Sequence, residues 1–276
     1  MTSYKYKVIS LHFTTDCNLN CPFCYRPKNQ KGKPLKFFKD LIPYIAELSP
    51  QVAVGGGEPF LYPKFIKSFS KDCKKFNLLC NVTTNGTQPM PKNVIKNIEM
   101  ISVSLDREKR PWSTDLIKFR NTILDLNKSV RTGCNYLLEK RDLEYPKEYL
   151  ARLLWLYEGC KVERVFALYP KNWKFLDILK MKPIYYAPTF KWKHFYVDDL
   201  TNMILTENRY KNWKHPCHYG KDIISISEQG YVTGCSFDSK DKALLKLEKP
   251  EDLMNIRKIK VKERFSCPYL NLPTSK

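Results

Sequence analysis

The chain is 276 residues long and 43% hydrophobic, enough for a full core in one large domain with a smaller one beside it. It has no apolar run of about 18 residues and no charged-then-apolar leader, which excludes a helical membrane span and predicts a cytoplasmic protein; ten cysteines in that reducing setting read as metal ligands rather than disulfides. Lys and Arg number 48 against 28 Asp and Glu, a net charge of +20 that favours an anionic partner, although the lysines are dispersed as on a solvated surface.

In chain order, Val8 to Phe13 reads as a buried strand, and Cys17, Cys21 and Cys24 follow it on a loop as Cys-x3-Cys-x2-Cys. A short loop can aim three thiolates at an iron–sulfur cube and leave one iron open. A zinc site, which normally takes four ligands, and a local disulfide are the alternatives. Residues 28 to 36 form a basic loop with Gly32 and Pro34, and 37 to 48 have helical apolar spacing with Pro43 as a kink. A strand over 51 to 55 runs into Gly55-Gly56-Gly57-Glu58-Pro59. Glycines let a backbone approach a ligand closely, and such a loop at a strand's carboxyl end is where α/β enzymes place ligands; a plain tight turn is the competing reading.

A helix over 63 to 76 and a strand over 78 to 84 follow, the strand ending in Asn85-Gly86, a turn signal. The strand over 100 to 106 places Ser104 and Asp106 on one face. A helix over 114 to 128, capped by Ser113 or Thr114, a strand over 132 to 138 carrying Asn135, a helix over 145 to 157 and a strand over 163 to 168 complete about six βα units. The repeat predicts an α/β fold: a parallel sheet curled as a partial (β/α)6 barrel of the TIM type, with function at the carboxyl ends of the strands. Cys73, Cys80, Cys134 and Cys160 lie singly in these elements and read as core residues.

Residues 170 to 216 are dense in lysine and aromatics, among them Trp192 and Trp213, a composition that can stack bases or pack between domains. Residues 222 to 235 alternate as a hairpin that would bring Cys217 and Cys235 together, with Cys267 further on. Residues 251 to 264 read as a basic amphipathic helix and 268 to 276 as a loose tail.

The triplet Cys17, Cys21, Cys24 with Phe23 before its last cysteine, followed one βα unit later by Gly56-Gly57-Glu58-Pro59, resembles the radical S-adenosylmethionine (SAM) superfamily. The resemblance covers residues 8 to about 170. It implies that the three cysteines hold a [4Fe–4S] cluster whose fourth iron is chelated by SAM, and that an electron donor such as ferredoxin or flavodoxin reduces it. It further implies SAM contacts from Phe23, Tyr25, the Gly56 to Pro59 segment, Thr84, Asn85, Ser104, Asp106 and Asn135. Asn135 looks like the strand-five asparagine of the branch that includes the molybdenum-cofactor cyclase. Cys217, Gly230 and Cys235 resemble the opening of SPASM and Twitch extensions. Because the later Cys-x2-Cys block is absent, this implies a Twitch type with a second [4Fe–4S] cluster on Cys217, Cys235 and Cys267, its fourth ligand left among His218, Asp238, water and the substrate. Zinc or unligated thiols are the alternatives there. The expected organisation is a core over 1–170, a linker over 171–216 and a Twitch-like domain over 217–276. The substrate class stays open between a peptide, protein or small molecule and an RNA or nucleotide. A non-catalytic Fe–S or zinc protein would have no use for the Gly-Gly-Glu-Pro loop.

Overall fold

The computed structural model describes residues 4–106, 115–168, 195–196 and 220–261. The chain divides into two compact units, one formed by Met1–Ser102 with His218–Lys262 and the other by Val103–Cys217 with Glu263–Lys276.

The first unit is built on strands β1 (Val8–His12), β2 (Gln51–Gly55), β3 (Leu79–Thr84), β8 (Ile223–Ile226), β9 (Tyr231–Thr233) and β10 (Leu245–Lys246), in the spatial order β10-β9-β8-β1-β2-β3. β1 lies parallel to β2, with Ile9 opposite Val52, and β2 parallel to β3, with Val52 opposite Cys80. Because side chains alternate across a strand, Ile9, Leu11, Val52, Val54, Cys80 and Val82 share one buried face, while Ser10, His12, Ala53, Gly55, Asn81 and Thr83 share the other. The apolar face is covered by α1 (Leu35–Asp40), α2 (Ile42–Leu48) and α3 (Pro63–Lys75), whose Phe38, Leu41, Ile45, Leu48, Ile66 and Phe69 are almost wholly buried. Each such side chain contributes about 1.5–3 kcal/mol by leaving water.

The single kinked helix expected over 37 to 48 is two helices that share Leu41 as end and start. Pro43 sits in the first turn of the second, where its missing N–H has no helical partner to lose, so it starts a helix rather than bending one. The hairpin expected over 222 to 235 is present: β8 and β9 are antiparallel, turning through Ser227 to Gly230, and Gly230 takes φ +83. β8 also pairs in parallel with β1, Ser10 opposite Ser225, so the hairpin is part of the first unit's sheet. The helix expected from 251 is a run of 3-10 turns over Pro250–Lys258.

β4 (Met100–Leu105) carries the chain from the first unit into the second, where β5 (Arg131–Leu137), β6 (Arg164–Leu168) and β7 (Phe195–Tyr196) follow in parallel order. Between β4 and β5 lies α5 (Leu116–Leu126), after the short α4 (Lys92–Ile95) of the first unit. Its cap is Asp115, whose carboxylate accepts from the Lys118 N–H at 2.9 Å; Ser113 and Thr114, the expected caps, lie outside the described residues. Two further helices, α6 (Lys140–Glu144) and α7 (Pro146–Leu154), occupy the connection to β6. Tyr136 and Tyr149 are fully buried edge to face at 5.4 Å, and the Tyr136 hydroxyl meets Asp142 at 3.2 Å. Parallel strands alternating with helices are the α/β class expected of a partial TIM-type barrel. The expected boundaries at 170 and 216 fall outside the described residues.

Candidate cluster and SAM site at the ends of strands one to three

The loop after β1 is anchored at its start by Phe13, which packs on Phe65 at 4.5 Å and on Tyr62 at 5.8 Å. Beyond it the backbone is laced to the glycine segment after β2. The Gly57 N–H donates to the Thr14 carbonyl at 2.8 Å and the Glu58 N–H to the Asp16 carbonyl at 2.7 Å. This lacing explains the glycines. A Cβ on Gly57 would stand 1.9 Å from the Asp16 carbonyl oxygen, and one on Gly56, which has φ +126, would stand 2.3 Å from that of Thr14. The sequence points to glycines that admit a ligand; in the structure they first admit the backbone of the cysteine loop. Thr15 is buried and its hydroxyl accepts from the Gln30 N–H at 2.8 Å, while the Tyr62 hydroxyl donates to the Asp16 carboxylate.

Glu58 is fully buried, and its carboxylate accepts three hydrogen bonds. Oε1 accepts from the Phe60 N–H at 2.9 Å and the Thr84 hydroxyl at 2.7 Å, and Oε2 from the Asn85 N–H at 2.7 Å. Burial pushes its pKa up, and these three donors only partly oppose the rise. Glu58 and Thr84 therefore face each other in the interior and tie the end of β2 to the end of β3. Pro59 is also buried and opens a 3-10 turn that Glu58 caps.

The cysteine loop itself is more open. Cys17 and Cys21 are half-buried and Cys24 is exposed; the described cysteines form no disulfide. Cys17 Sγ accepts from the Leu19 N–H at 3.4 Å and from Asn85 Nδ2 at 3.8 Å, and the Cys24 N–H donates to the Cys21 carbonyl at 3.0 Å. Among the described residues no three His, Cys, Asp or Glu side chains converge as a site for one ion. A cube takes each thiolate on a different iron, so the sulfurs do not have to meet at a point. The donor set fits such a group: three thiols on one eight-residue loop, one already facing two N–H donors. Phe23 is half-buried and Tyr25 exposed on the same loop.

The far side of this loop meets the β8–β9 hairpin through residues that sequence reasoning missed. Arg26 reaches Glu228 at 3.4 Å, both side chains nearly buried. The Lys33 N–H donates to the Glu228 carbonyl at 2.8 Å, which Gly32 passes so closely that a Cβ would lie 2.7 Å from its oxygen. Tyr25 packs edge to face on Phe237 at 4.7 Å. No local pattern could have joined Arg26 to Glu228, 202 residues away. His12 is likewise buried, its Nε2 3.0 Å from the Ser10 hydroxyl; burial, then the Arg26 charge, holds its pKa well below the usual histidine range. Cys235 is half-buried just after β9; Cys217, His218 and Cys267 lie outside the described residues. Ser104, Asp106 and Asn135 belong to the second unit: Ser104 and Asp106 are buried at the end of β4, and Asn135 is half-buried on β5 opposite Phe166.

The cysteine loop and the glycine segment both lie within residues 11–106, which match the Radical SAM superfamily. An uncharacterized protein of Methanocaldococcus jannaschii is 26% identical over 194 residues, 63% of this chain and 66% of that protein. A second protein of that organism, named as a putative glycyl-radical enzyme activating enzyme, is 27% identical over 109 residues, 37% of this chain and 44% of its own. Among solved structures, Streptococcus suis SuiB matches with a TM-score of 0.67 at 15% identity, over 84% of this chain and 61% of its own. The structure of anSMEcpe with bound AdoMet and the Cp18Cys peptide matches with a TM-score of 0.62 at 14% identity, over 90% of this chain and 80% of its own. This chain thus spans less than two thirds of SuiB and of both M. jannaschii relatives.

Proposed function

We propose that the protein is a radical SAM enzyme whose Cys17, Cys21 and Cys24 hold a [4Fe–4S] cluster. When bound, that cluster supplies the electron that splits SAM into methionine and a 5′-deoxyadenosyl radical, which takes hydrogen from a substrate. The observation that carries this reading is the lacing of Thr14 and Asp16 to Gly57 and Glu58, which makes the cysteine loop and the glycine segment one preorganised surface. In it, the Gly56–Gly57 backbone receives the methionyl end of SAM and Glu58 stiffens that segment from behind. Asn85 stands at the adjoining strand end, with Phe23 and Tyr25 on the cysteine loop. Ser104, Asp106 and Asn135 stay in the proposal as SAM contacts, on the sequence resemblance alone. The anaerobically reconstituted protein with dithionite should release 5′-deoxyadenosine from SAM, and Cys24→Ala should release none; equal release by both would sink the reading.

A second [4Fe–4S] cluster on Cys217, Cys235 and Cys267, in a Twitch-like segment over 217–276, belongs to the same proposal and rests on the sequence. It predicts about eight irons per chain after reconstitution, against about four in the Cys17/Cys21/Cys24→Ala triple variant, at four irons per cube. A ferredoxin or flavodoxin is the proposed electron donor. A peptide or protein substrate is preferred, because SuiB has been solved with the precursor peptide SuiA and anSMEcpe with the Cp18Cys peptide. An RNA or nucleotide substrate is the second reading, favoured by the +20 charge. No helix among the described residues is long and apolar enough to cross a membrane, and a cytoplasmic location stays part of the proposal.

A further inference from the structure

The side-chain amide of Asn85 has only one consistent orientation. The Thr87 N–H, which can only donate, points at its Oδ1 at 2.9 Å, and the Thr87 hydroxyl donates to the same oxygen at 2.6 Å. That hydroxyl in turn accepts from Asn18 Nδ2 at 2.7 Å, and Asn18 Oδ1 accepts from Asn85 Nδ2 at 3.0 Å. The three side chains close a ring of donors and acceptors. Reversing the Asn85 amide would put its NH2 against the Thr87 N–H, which cannot accept. The ring therefore holds the donor end of Asn85 toward Cys17 Sγ, 3.8 Å away, beside the Leu19 N–H at 3.4 Å on the same sulfur. The Asn85 backbone is pinned as well, by its N–H on buried Glu58.

We infer that Asn85 is a positioning residue for the cluster ligand Cys17 that sets the cluster's reduction potential by donating an N–H to its sulfur. The inference rests on the cluster assignment proposed above and goes beyond the SAM contact expected of this position. Hydrogen bonds to cysteine sulfur stabilise the more negative reduced cluster and raise its potential. Asn85→Ala removes the donor. Asn85→Asp keeps the shape and the two Thr87 donors but turns an acceptor and a charge toward the sulfur.

The test is a mediated redox titration, followed by EPR, of the reconstituted full chain without SAM, with iron content and SAM affinity measured on the same samples. Asn85→Ala should lower the midpoint potential at full iron content, and Asn85→Asp should lower it further. Should the aspartate variant fail to take up iron, Asn85→Ser takes its place and should fall with alanine below the wild type. An unmoved potential in Asn85→Ala with full iron content overturns the inference alone, with or without a loss of SAM affinity. A wild type that gains no cluster signal overturns the cluster assignment and the inference together.

Discussion

The cysteine loop is held from two sides, and the two sides use different mixtures of bonds. Toward β2 the hold is backbone to backbone, Thr14 with Gly57 and Asp16 with Glu58, at a separation that leaves no room for a Cβ. Toward the β8–β9 hairpin one backbone bond, from the Lys33 N–H to the Glu228 carbonyl, is joined by side-chain contacts, Arg26 with Glu228 and Tyr25 with Phe237, and beyond β10 Lys33 also reaches Glu248 at 2.9 Å. Tyr25 and Phe237 remain 43% and 39% exposed, while Glu58 behind the first contact is fully buried. A backbone contact depends on residue type at one or two positions and allows little adjustment. A side-chain contact can be loosened or retuned by changing either partner.

That contrast orders the expected effects of substitution. Gly57→Val should be the most damaging, because the clash is with backbone that cannot rotate away; about 3 kcal/mol of stability and the bound iron should both be lost. Denaturant unfolding and iron analysis read it, and a variant that reconstitutes like wild type would erase the distinction between the two sides. Glu228→Ala should cost less, about 2 kcal/mol, by leaving the nearly buried Arg26 guanidinium without its carboxylate. Double-variant analysis with Arg26→Ala sharpens the point: the second change should add little once the first is made.

The smallest effect is one of pH and concerns Glu58. Its folded pKa is raised above 4.5, so in the window above that value the folded chain binds more protons than the unfolded chain and stability falls as pH rises. The cost is complete once pH exceeds the folded pKa. Glu58→Gln cannot titrate, so the stability of wild type relative to this variant should drift downward as pH rises from 4.5 through the raised folded pKa. A difference that rises with pH would show instead that the three donors outweigh burial.

Much of the site is legible in the sequence alone. The apolar strands over Val8–His12 and Gln51–Gly55, the amphipathic run of Pro63–Lys75 and the spacing of Cys17, Cys21 and Cys24 are local properties of the chain. So is the Asn85 turn, since an asparagine that accepts from the N–H two residues on is a local motif. Local signals also mislead: Pro43 reads as a kink because composition does not reveal that Leu41 ends one helix and starts the next.

By itself, then, the sequence determined which residues are candidates for the chemistry, because three thiols on a short loop and a glycine-rich strand end are set by residue type and spacing alone. Tertiary structure decided what each residue does there. Gly57 serves the Asp16 carbonyl, Glu58 is spent on Thr84, Asn85 and Phe60, Asn85 turns its amide to Cys17, and Glu228 arrives from the far end of the chain to hold Arg26. The physical reason is that a hydrogen bond or an ion pair depends on distance and direction in space. The parallel pairing of β1 with β2 on one side and β8 on the other brings together groups that the order of residues keeps apart.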